Sequence, residues 1–335
     1  MVTMKSLRRQ AGAAILLALL IMTLVATLAA GMVWLQWRGI QVESAERART
    51  QAEWLLNASL DWGNLILKSQ IRTTQVEDDL GQPWATPLAE TKLSSFLSAD
   101  GNHSDDGGPE AFLSGQITDA DGKYNLYNLL VTTTNKFDEI NRLSLICTAI
   151  GIPASTATTI GSGLRDSFNA QQLLSQGTQP NAAVLMPVQI QDLAWYGIDP
   201  KILKQLTPFI QLLPMLPTAP VTEINANTAS PEALMAALPG ISLAQAQQIV
   251  LARQSHPFHD PTDIWLALGR GKAQAWEPPK GMPPNQVNVK SFHFEIFGQL
   301  RYEQHVVRER SIVFRPGPGQ ALQVLRRERI PPDPA

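Results

Sequence analysis

The N-terminal part of the chain contains an uncharged apolar run that limits what the rest can fold into. No charged residue occurs from Ala11 to Gln36. About 25 residues suffice to cross a hydrocarbon layer roughly 30 Å thick as a helix. Lys5, Arg8 and Arg9 precede the run without an acid among them, and basic residues on one flank keep that flank in the cytoplasm. We therefore expect a single-pass helix over residues 13–36, with the bulk of the chain on the side of the membrane opposite the cytoplasm.

Three interpretations of this run compete. A secretory signal peptide has a shorter apolar core followed by small residues at its cleavage site, and residues 26–31 could supply such a site. An uncleaved signal anchor is the second interpretation. The third rests on Gly12, which stands between the basic residues and the apolar run. That order resembles the class III signal of type IV pilins and pseudopilins, in which residues 1–12 would be a cytoplasmic prepilin leader and Ala13 the processed N-terminus.

The helix is predicted to continue beyond the membrane, through residues 37–72. Trp34 and Trp37 suit a membrane interface, and no proline follows them before Pro83. A stripe of mostly apolar residues recurs here at helical spacing: Ile40, Ala48, Ala52, Leu55, Leu56, Ser59, Trp62 and Ile66. Such a stripe needs a partner surface. A coiled-coil stalk is the alternative, but the stripe does not keep a strict heptad.

Charge and cysteine content exclude some classes of protein and disfavour others. The formal net charge of -2 implies no bulk attraction to nucleic acid. A single cysteine, Cys147, excludes an intrachain disulfide framework, and its apolar neighbours predict a buried, inert thiol. No serine, lysine or cysteine is placed among the partners that a nucleophile needs. We therefore expect a protein that is not an enzyme.

Strand character occurs on both sides of a helical region. Residues 73–136 are predicted to form the first part of a β-domain, with Asp121-Gly122 as the turn of a hairpin. Residues 285–330 are predicted to complete the same sheet, because Phe292, Phe294 and Ile296 alternate with polar residues. The proline-rich tail, residues 331–335, is expected to be disordered.

Residues 137–284 are predicted to be all-α and to contain two related modules, 137–220 and 221–284. Ala149 to Ile152 matches Leu238 to Ile241 as a weak internal repeat. The second module is similar to a helix-hairpin-helix, a motif that holds phosphate on backbone N–H groups. It carries Ser242 where such hairpins usually have a second glycine. Acids also outnumber bases between Glu223 and Arg270, which disfavours phosphate binding.

Taken in order, these segments resemble one family, the minor pseudopilin K (general secretion pathway protein K) of type II secretion systems. Most pilin-like proteins carry glutamate at the fifth mature position, whereas that family typically lacks it, and here the position is Leu17. The run from Gly122 to Leu129 also resembles the family's hallmark, with three departures: lysine for arginine, tyrosine for phenylalanine and Tyr127 for asparagine. The resemblance covers almost the whole chain, from leader to C-terminal strands.

This resemblance implies an α+β fold in which a long pilin-like N-terminal helix packs on an antiparallel β-sheet, with tandem SAM-like modules inserted. It implies assembly at the tip of a periplasmic pseudopilus that supports protein export across the outer membrane. The implied partners are minor pseudopilins I and J, the major pseudopilin, the inner membrane and prepilin peptidase, and no nucleic acid is expected. The alternative function is a membrane-anchored helix-hairpin-helix DNA-binding protein of the competence type.

Family members are known to bind calcium, so a structural calcium ion is a further expectation. Oxygen ligands suit calcium, and the candidate ligands are the acids of one loop and the following turn: Asp100, Asp105, Asp106, Glu110, Asp119 and Asp121. Their spacing fits no EF-hand loop, and a solvated acidic loop is the alternative. The sequence indicates no other cofactor.

We predict that prepilin peptidase cleaves after Gly12, because this glycine lies between the basic leader and the apolar run. Mass spectrometry of the membrane-bound protein should then find a chain that starts at Ala13. A chain that starts near Gly31 would show cleavage by signal peptidase and would contradict the pseudopilin interpretation.

Overall fold

The structure is a computed structural model, and it describes most of the chain. The described residues are 11–69, 77–93, 110–131, 136–179, 185–214, 221–271, 286–302, 305–317 and 320–331.

One continuous helix, α1 (Ala11–Ser69), forms the N-terminal part of the fold. Its 59 residues would extend about 90 Å at 1.5 Å per residue. Of the described helices, it alone is long and apolar enough to cross a membrane. Its apolar first half is exposed throughout, whereas Ala52, Leu56, Leu60 and Leu67 in its second half are buried. This division matches the two halves predicted from the sequence.

A five-stranded antiparallel sheet provides the partner surface for α1, in the strand order β1-β2-β7-β8-β9. The bounds of these strands are β1 (Leu88–Lys92), β2 (Ala111–Asp119), β7 (His293–Tyr302), β8 (His305–Phe314) and β9 (Gln323–Arg329). Strands β2 and β7 pair along the whole of β2, from Ala111↔Tyr302 to Asp119↔Phe294. Since the helical region lies between these two strands in the sequence, it is an insertion into one sheet.

Glycines allow α1 to approach the sheet closely. A Cβ added to Gly298 in β7 would lie 3.0 Å from Leu56 Cδ1, and one added to Gly63 in α1 would lie 3.0 Å from Ile296 Cγ2. Both distances are tighter than ordinary van der Waals contact. The helix and sheet therefore pack through two positions where the absence of a side chain brings the two layers together.

The inserted helical region has its own elements. Its helices are α2 (Lys136–Ala149), α3 (Ser155–Ser175), α4 (Pro200–Leu206), α5 (Pro231–Ala237), α6 (Leu243–Ser255) and α7 (Asp263–Ala267), with short 3₁₀ helices at Leu126–Leu130 and Ile190–Tyr196. Two short parallel bridges join β3 (Tyr124–Asn125) to β4 (Ile210–Gln211) and β5 (Ile224–Asn225) to β6 (Val287–Asn288). The helices between residues 137 and 284 were expected, whereas the 3₁₀ helix at Leu126–Leu130 lies in a segment that was predicted to belong to the β-domain.

The two halves of the weak internal repeat have the same local structure. Gly151 follows α2 with φ 78°, and Gly240 lies between α5 and α6 with φ 91°. Each glycine precedes a buried isoleucine, Ile152 or Ile241. Only glycine adopts this left-handed conformation without strain, so the shared Gly-Ile pair marks two helix–turn–helix hairpins.

Two details differ from the sequence prediction. The prediction of a hairpin at Asp121-Gly122 is wrong, because Tyr124 pairs in parallel with Ile210 of β4 and not with β2. Burial of the Asp119 and Asp121 side chains directs the chain away from the sheet at this turn. The helical region also extends beyond its predicted boundaries at residues 137 and 285, since Leu126 and Val289 are buried in its core.

We predict that the pilin-like part folds without the helical region. Replacing residues 122–290 by a short turn should leave a cooperatively unfolding domain, because the end of β2 lies beside the start of β7. In addition, the two helix–sheet clusters contain no residue of the helical region. Circular dichroism during urea unfolding measures this. A shortened chain without a cooperative transition would show that the helical region is not a module.

Candidate functional site

Polar side chains from five chain segments meet where the chain enters and leaves the helical region. At their centre is Asp119, the last residue of β2, which is 8% exposed. Its Oδ1 accepts a hydrogen bond from the backbone N–H of Asp121 at 2.8 Å. Its Oδ2 accepts hydrogen bonds from Asn225 Nδ2 at 2.9 Å, from Thr228 Oγ1 and from Ser291 Oγ. We call this cluster the Asp119 node; its members are Asp78, Asp119, Asp121, Asn225, Thr228, Ser291, His293 and Arg315.

The second acid of the turn, Asp121, binds the beginning of β7. Its Oδ2 accepts the backbone N–H groups of Phe292 at 2.6 Å and His293 at 3.0 Å, and its Oδ1 lies 2.9 Å from His293 Nδ1. Asp121 is 2% exposed. The turn after β2 is thereby fixed to the strand that carries the chain back into the sheet.

The third acid, Asp78, connects the segment after α1 to the same place. Its Oδ2 accepts the Ser291 N–H at 2.9 Å, and its Oδ1 accepts Arg315 Nη2 at 2.5 Å. The Arg315 guanidinium also lies 4.5 Å from the centre of the Phe294 ring. Asn225 Nδ2 donates to the Asp78 carbonyl at 3.0 Å, so the helical region, the segment after α1 and the sheet all meet at this node.

Burial perturbs the acid at the centre of the node. Removal from water, reinforced by the nearby charge of Asp121, raises the pKa of Asp119 to about 7, while the hydrogen bonds from Ser291 and Thr228 act in the opposite direction. A carboxyl group in this state exchanges its proton near neutral pH. The groups that face it are the Asp78 and Asp121 carboxylates, with Arg315 and His293 beyond them.

A second buried polar cluster lies inside the helical region. Arg142, which is 0% exposed, donates from Nη1 to the Ala236 carbonyl at 2.5 Å and from Nε to Glu139 Oε1 at 3.3 Å. The Tyr124 hydroxyl donates to Glu139 Oε2 at 2.8 Å, and its burial raises the tyrosine pKa well above its usual value. Because α2 carries Arg142 and α5 carries Ala236, the hydrogen bond from Arg142 to the Ala236 carbonyl joins the two modules.

The residues predicted for processing lie at the start of α1. Gly12 and Ala13 fall in its first turn, and Leu17 follows one turn later with 61% of its side chain exposed. An apolar side chain at this position of an exposed apolar helix fits contact with lipid. Cleavage after Gly12 stays a prediction.

The structure does not bring all the candidate calcium ligands together. Asp100, Asp105 and Asp106 lie outside the described residues. Glu110 directly precedes β2 and Asp119 ends it, and nine residues of strand span roughly 30 Å. In the described part of the chain, no group of three or more histidine, cysteine, aspartate or glutamate side chains is arranged to hold a metal ion. Calcium binding therefore stays a prediction, and one site built from all six acids is excluded.

The helix-hairpin-helix resemblance does not extend to a phosphate site in the second module. At the start of α6, Ser242 Oγ accepts the Gln245 N–H at 3.2 Å, and Gln245 Oε1 accepts the Ser242 N–H at 2.8 Å. These reciprocal bonds form a capping box, which occupies the donors that a phosphate would use. The capping box and the excess of acidic residues in this segment therefore both disfavour DNA binding.

Sequence reasoning missed most of the Asp119 node. Only Asp119 and Asp121 were singled out, and as calcium ligands, whereas Asp78, Asn225, Ser291 and Arg315 were not. Asn225 lies 106 residues from Asp119 along the chain. The one available signal was the dense run of polar residues Asn225, Asn227 and Thr228 before α5.

Sequence comparisons identify similar proteins. A family model described as type II secretion system protein K matches residues 224–278. The type II secretion system protein K of Pectobacterium carotovorum subsp. carotovorum is 25% identical over 347 residues, covering 96% of each chain. The protein of the same name from Pseudomonas aeruginosa is 27% identical over 277 residues, covering 77% of this chain and 76% of that protein.

Comparison with solved structures supports the fold. The chain is similar to a chain in the crystal structure of the GspK–GspI–GspJ complex from the type 2 secretion system of enterotoxigenic Escherichia coli. The TM-score is 0.60 at 17% identity, and the match covers 86% of this chain and 99% of that one. The predicted α+β class, with a long helix, an antiparallel sheet and an inserted helical region, is confirmed.

We predict that the free energy of unfolding falls as pH rises from about 4 to about 7. Folded Asp119 keeps its proton up to about pH 7, whereas an unfolded aspartate loses it near pH 4. Between these values the folded state binds more protons, so stability decreases with rising pH. The slope contributed by one such group approaches about 1.4 kcal/mol per pH unit.

Urea unfolding followed by circular dichroism at several pH values measures this slope. The matched control is Asp119→Asn, which removes the titrating group and should flatten the profile over the same interval. Equal slopes for the two proteins would show that Asp119 does not take up a proton on folding.

Proposed function

We infer that this chain belongs to the type II secretion system protein K family and acts as a minor pseudopilin. Its role is assembly rather than catalysis: it joins other minor pseudopilins at the tip of a periplasmic pseudopilus that supports protein export across the outer membrane. Two curated relatives of that name support this, one of them across 96% of both chains. The N-terminal helix supports anchoring in the inner membrane, with the sheet and helical region in the periplasm.

One structural observation carries the assembly role: α1 carries large exposed apolar side chains on the side opposite its buried face. The face formed by Ala52, Leu56 and Leu60 is buried on the sheet. On the other side, Trp54 is 75% exposed and Leu65 is 56% exposed, and at 3.6 residues per turn both point away from the buried face. Large exposed apolar side chains on a helix that continues from a membrane-length apolar segment are typical of a surface that packs against other helices.

The partners proposed for this face are minor pseudopilins I and J, followed by the major pseudopilin. In support, the similar solved chain is part of a GspK–GspI–GspJ complex. Prepilin peptidase is the proposed processing enzyme, because Gly12 lies at the predicted cleavage position.

Two features support a position at the tip. In pilin-like fibres, glutamate at the fifth mature position is thought to pair with the N-terminal amine of a neighbouring subunit. Leu17 offers no carboxylate, and an unpaired charge in the membrane is costly, so a subunit with Leu17 fits best where no neighbour above it needs such a pair. The helical region adds bulk to the periplasmic domain and would obstruct a further subunit.

We predict that Trp54→Ala weakens the complex of the full-length chain with minor pseudopilins I and J. The Kd should rise about 10- to 100-fold, as expected for loss of a tryptophan at the centre of an interface. Binding of the purified proteins in detergent, followed by fluorescence anisotropy, measures this change.

The matched control is Trp195→Ala. Trp195 is also exposed, at 52%, but it lies in the helical region, and its removal should leave the Kd unchanged. An unchanged Kd for Trp54→Ala, or no complex with the unaltered chain, would contradict assembly through α1.

A further inference from the structure

We propose that the Asp119 node is the joint that fixes the orientation of the helical region on the sheet. Breaking the node would leave both bodies folded but free to rotate relative to each other. The proposal concerns a conformational property of the fold, so it stands whether or not the proposed function is correct.

The apolar packing of the two bodies explains why a separate joint is needed. The core of the helical region and the two helix–sheet clusters share no buried residue. Among the described residues, one small cluster combines apolar side chains of both bodies: Ala120, Leu213, Ile312 and Leu325. Hydrophobic contact is non-directional. A patch of this size therefore does not define an angle between two bodies.

The hydrogen bonds of the node do define an angle, because they are directional and come from both bodies. Asn225 Nδ2, from the helical region, donates to Asp119 Oδ2, to the Asp78 carbonyl and to Ser291 Oγ at 2.7 Å. Thr228 Oγ1 adds a second bond from the helical region to Asp119. Asp78 and Asp119 are buried, so loss of the Asn225 donor is unfavourable at both.

Steric fit reinforces this geometry. A Cβ added to Gly122, in the turn after β2, would lie 2.8 Å from Thr228 Oγ1. The helical region therefore rests directly on the turn backbone, where a larger side chain would displace Thr228 from Asp119.

Beside the node, Gln211 of β4 also donates to the Ala120 carbonyl in the turn after β2. Two contacts that lie farther from the node are peripheral. His259 Nδ1 lies 2.9 Å from Glu77 Oε1, but the histidine side chain is 71% exposed. Arg326 of β9 donates to the Val188 carbonyl at an exposed position. Exposed pairs contribute little, because water competes for both partners, so the buried node sets the orientation.

The test is Asn225→Asp, which keeps the shape of the side chain but places a carboxylate against Asp119 and Asp78 in place of a donor. Spin labels on Lys92→Cys and Gln247→Cys, in a Cys147→Ala background of the full-length chain in detergent, report the distance between the sheet and the helical region. A second pair, Gln171→Cys and Gln247→Cys, reports a distance inside the helical region.

We expect the distribution of the first distance to become about twofold wider in Asn225→Asp, because a buried acceptor without a donor is unfavourable, while the second distance stays narrow. The matched control is Asn227→Asp. Asn227 is buried too, but its side chain bonds to Phe258 of the same region: Oδ1 accepts from Phe258 N at 2.8 Å and Nδ2 donates to Phe258 O at 2.9 Å. This control should leave the first distribution narrow.

A rescue variant separates the joint from a general loss of stability. Asp119→Asn combined with Asn225→Asp exchanges the acid and the amide, restores one donor–acceptor pair and should narrow the first distribution again. An unchanged first distance in Asn225→Asp would overturn the proposal. Widening of both distances would also overturn it, because the node would then be part of the folding core and not a joint.

Discussion

A carboxylate removed from water must be met by hydrogen-bond donors, and the organisation of this protein depends on how that requirement is satisfied at Asp119. The strand β2 ends at Asp119 inside the protein, and its donors come from the turn that follows, from the helical region and from the segment that leads back into β7. None of these segments can move independently without leaving a buried acceptor unpaired. One acid thereby ties together the two bodies of the fold and the segment that follows α1.

The long helix meets a different constraint, because its first half must suit lipid and its second half must suit water and the sheet. Its first half is apolar all round, and its second half is apolar on the face that packs on the sheet and again at Trp54 and Leu65 on the opposite side. Gly298 and Gly63 bring the helix close enough for the sheet to bury one of these faces. The other face stays open for neighbouring helices, so the fold that stabilises the domain also presents its assembly surface.

Local patterns predicted the parts of this structure that depend on neighbouring residues. The apolar run, the helical stripe from Ala52 to Ile66 and the Gly-Ile turns at Gly151 and Gly240 all have periods or residue types that a helix or turn requires. The Asp119 node could not be predicted in this way, because Asn225 and Ser291 reach it across more than a hundred residues of helical region. For the same reason Asp121-Gly122 was mistaken for a hairpin: its sequence is that of a turn, but β3 pairs with a strand far along the chain.

The claim that this protein occupies the tip of a pseudopilus is tested most directly by locating it in the assembled fibre. Pseudopili isolated with the full-length protein can be labelled with gold through a tag in the helical region and imaged by electron microscopy. The account predicts gold at one end of each fibre. Gold distributed along the length of the fibres would contradict it, because the protein would then be a repeating subunit and not the tip.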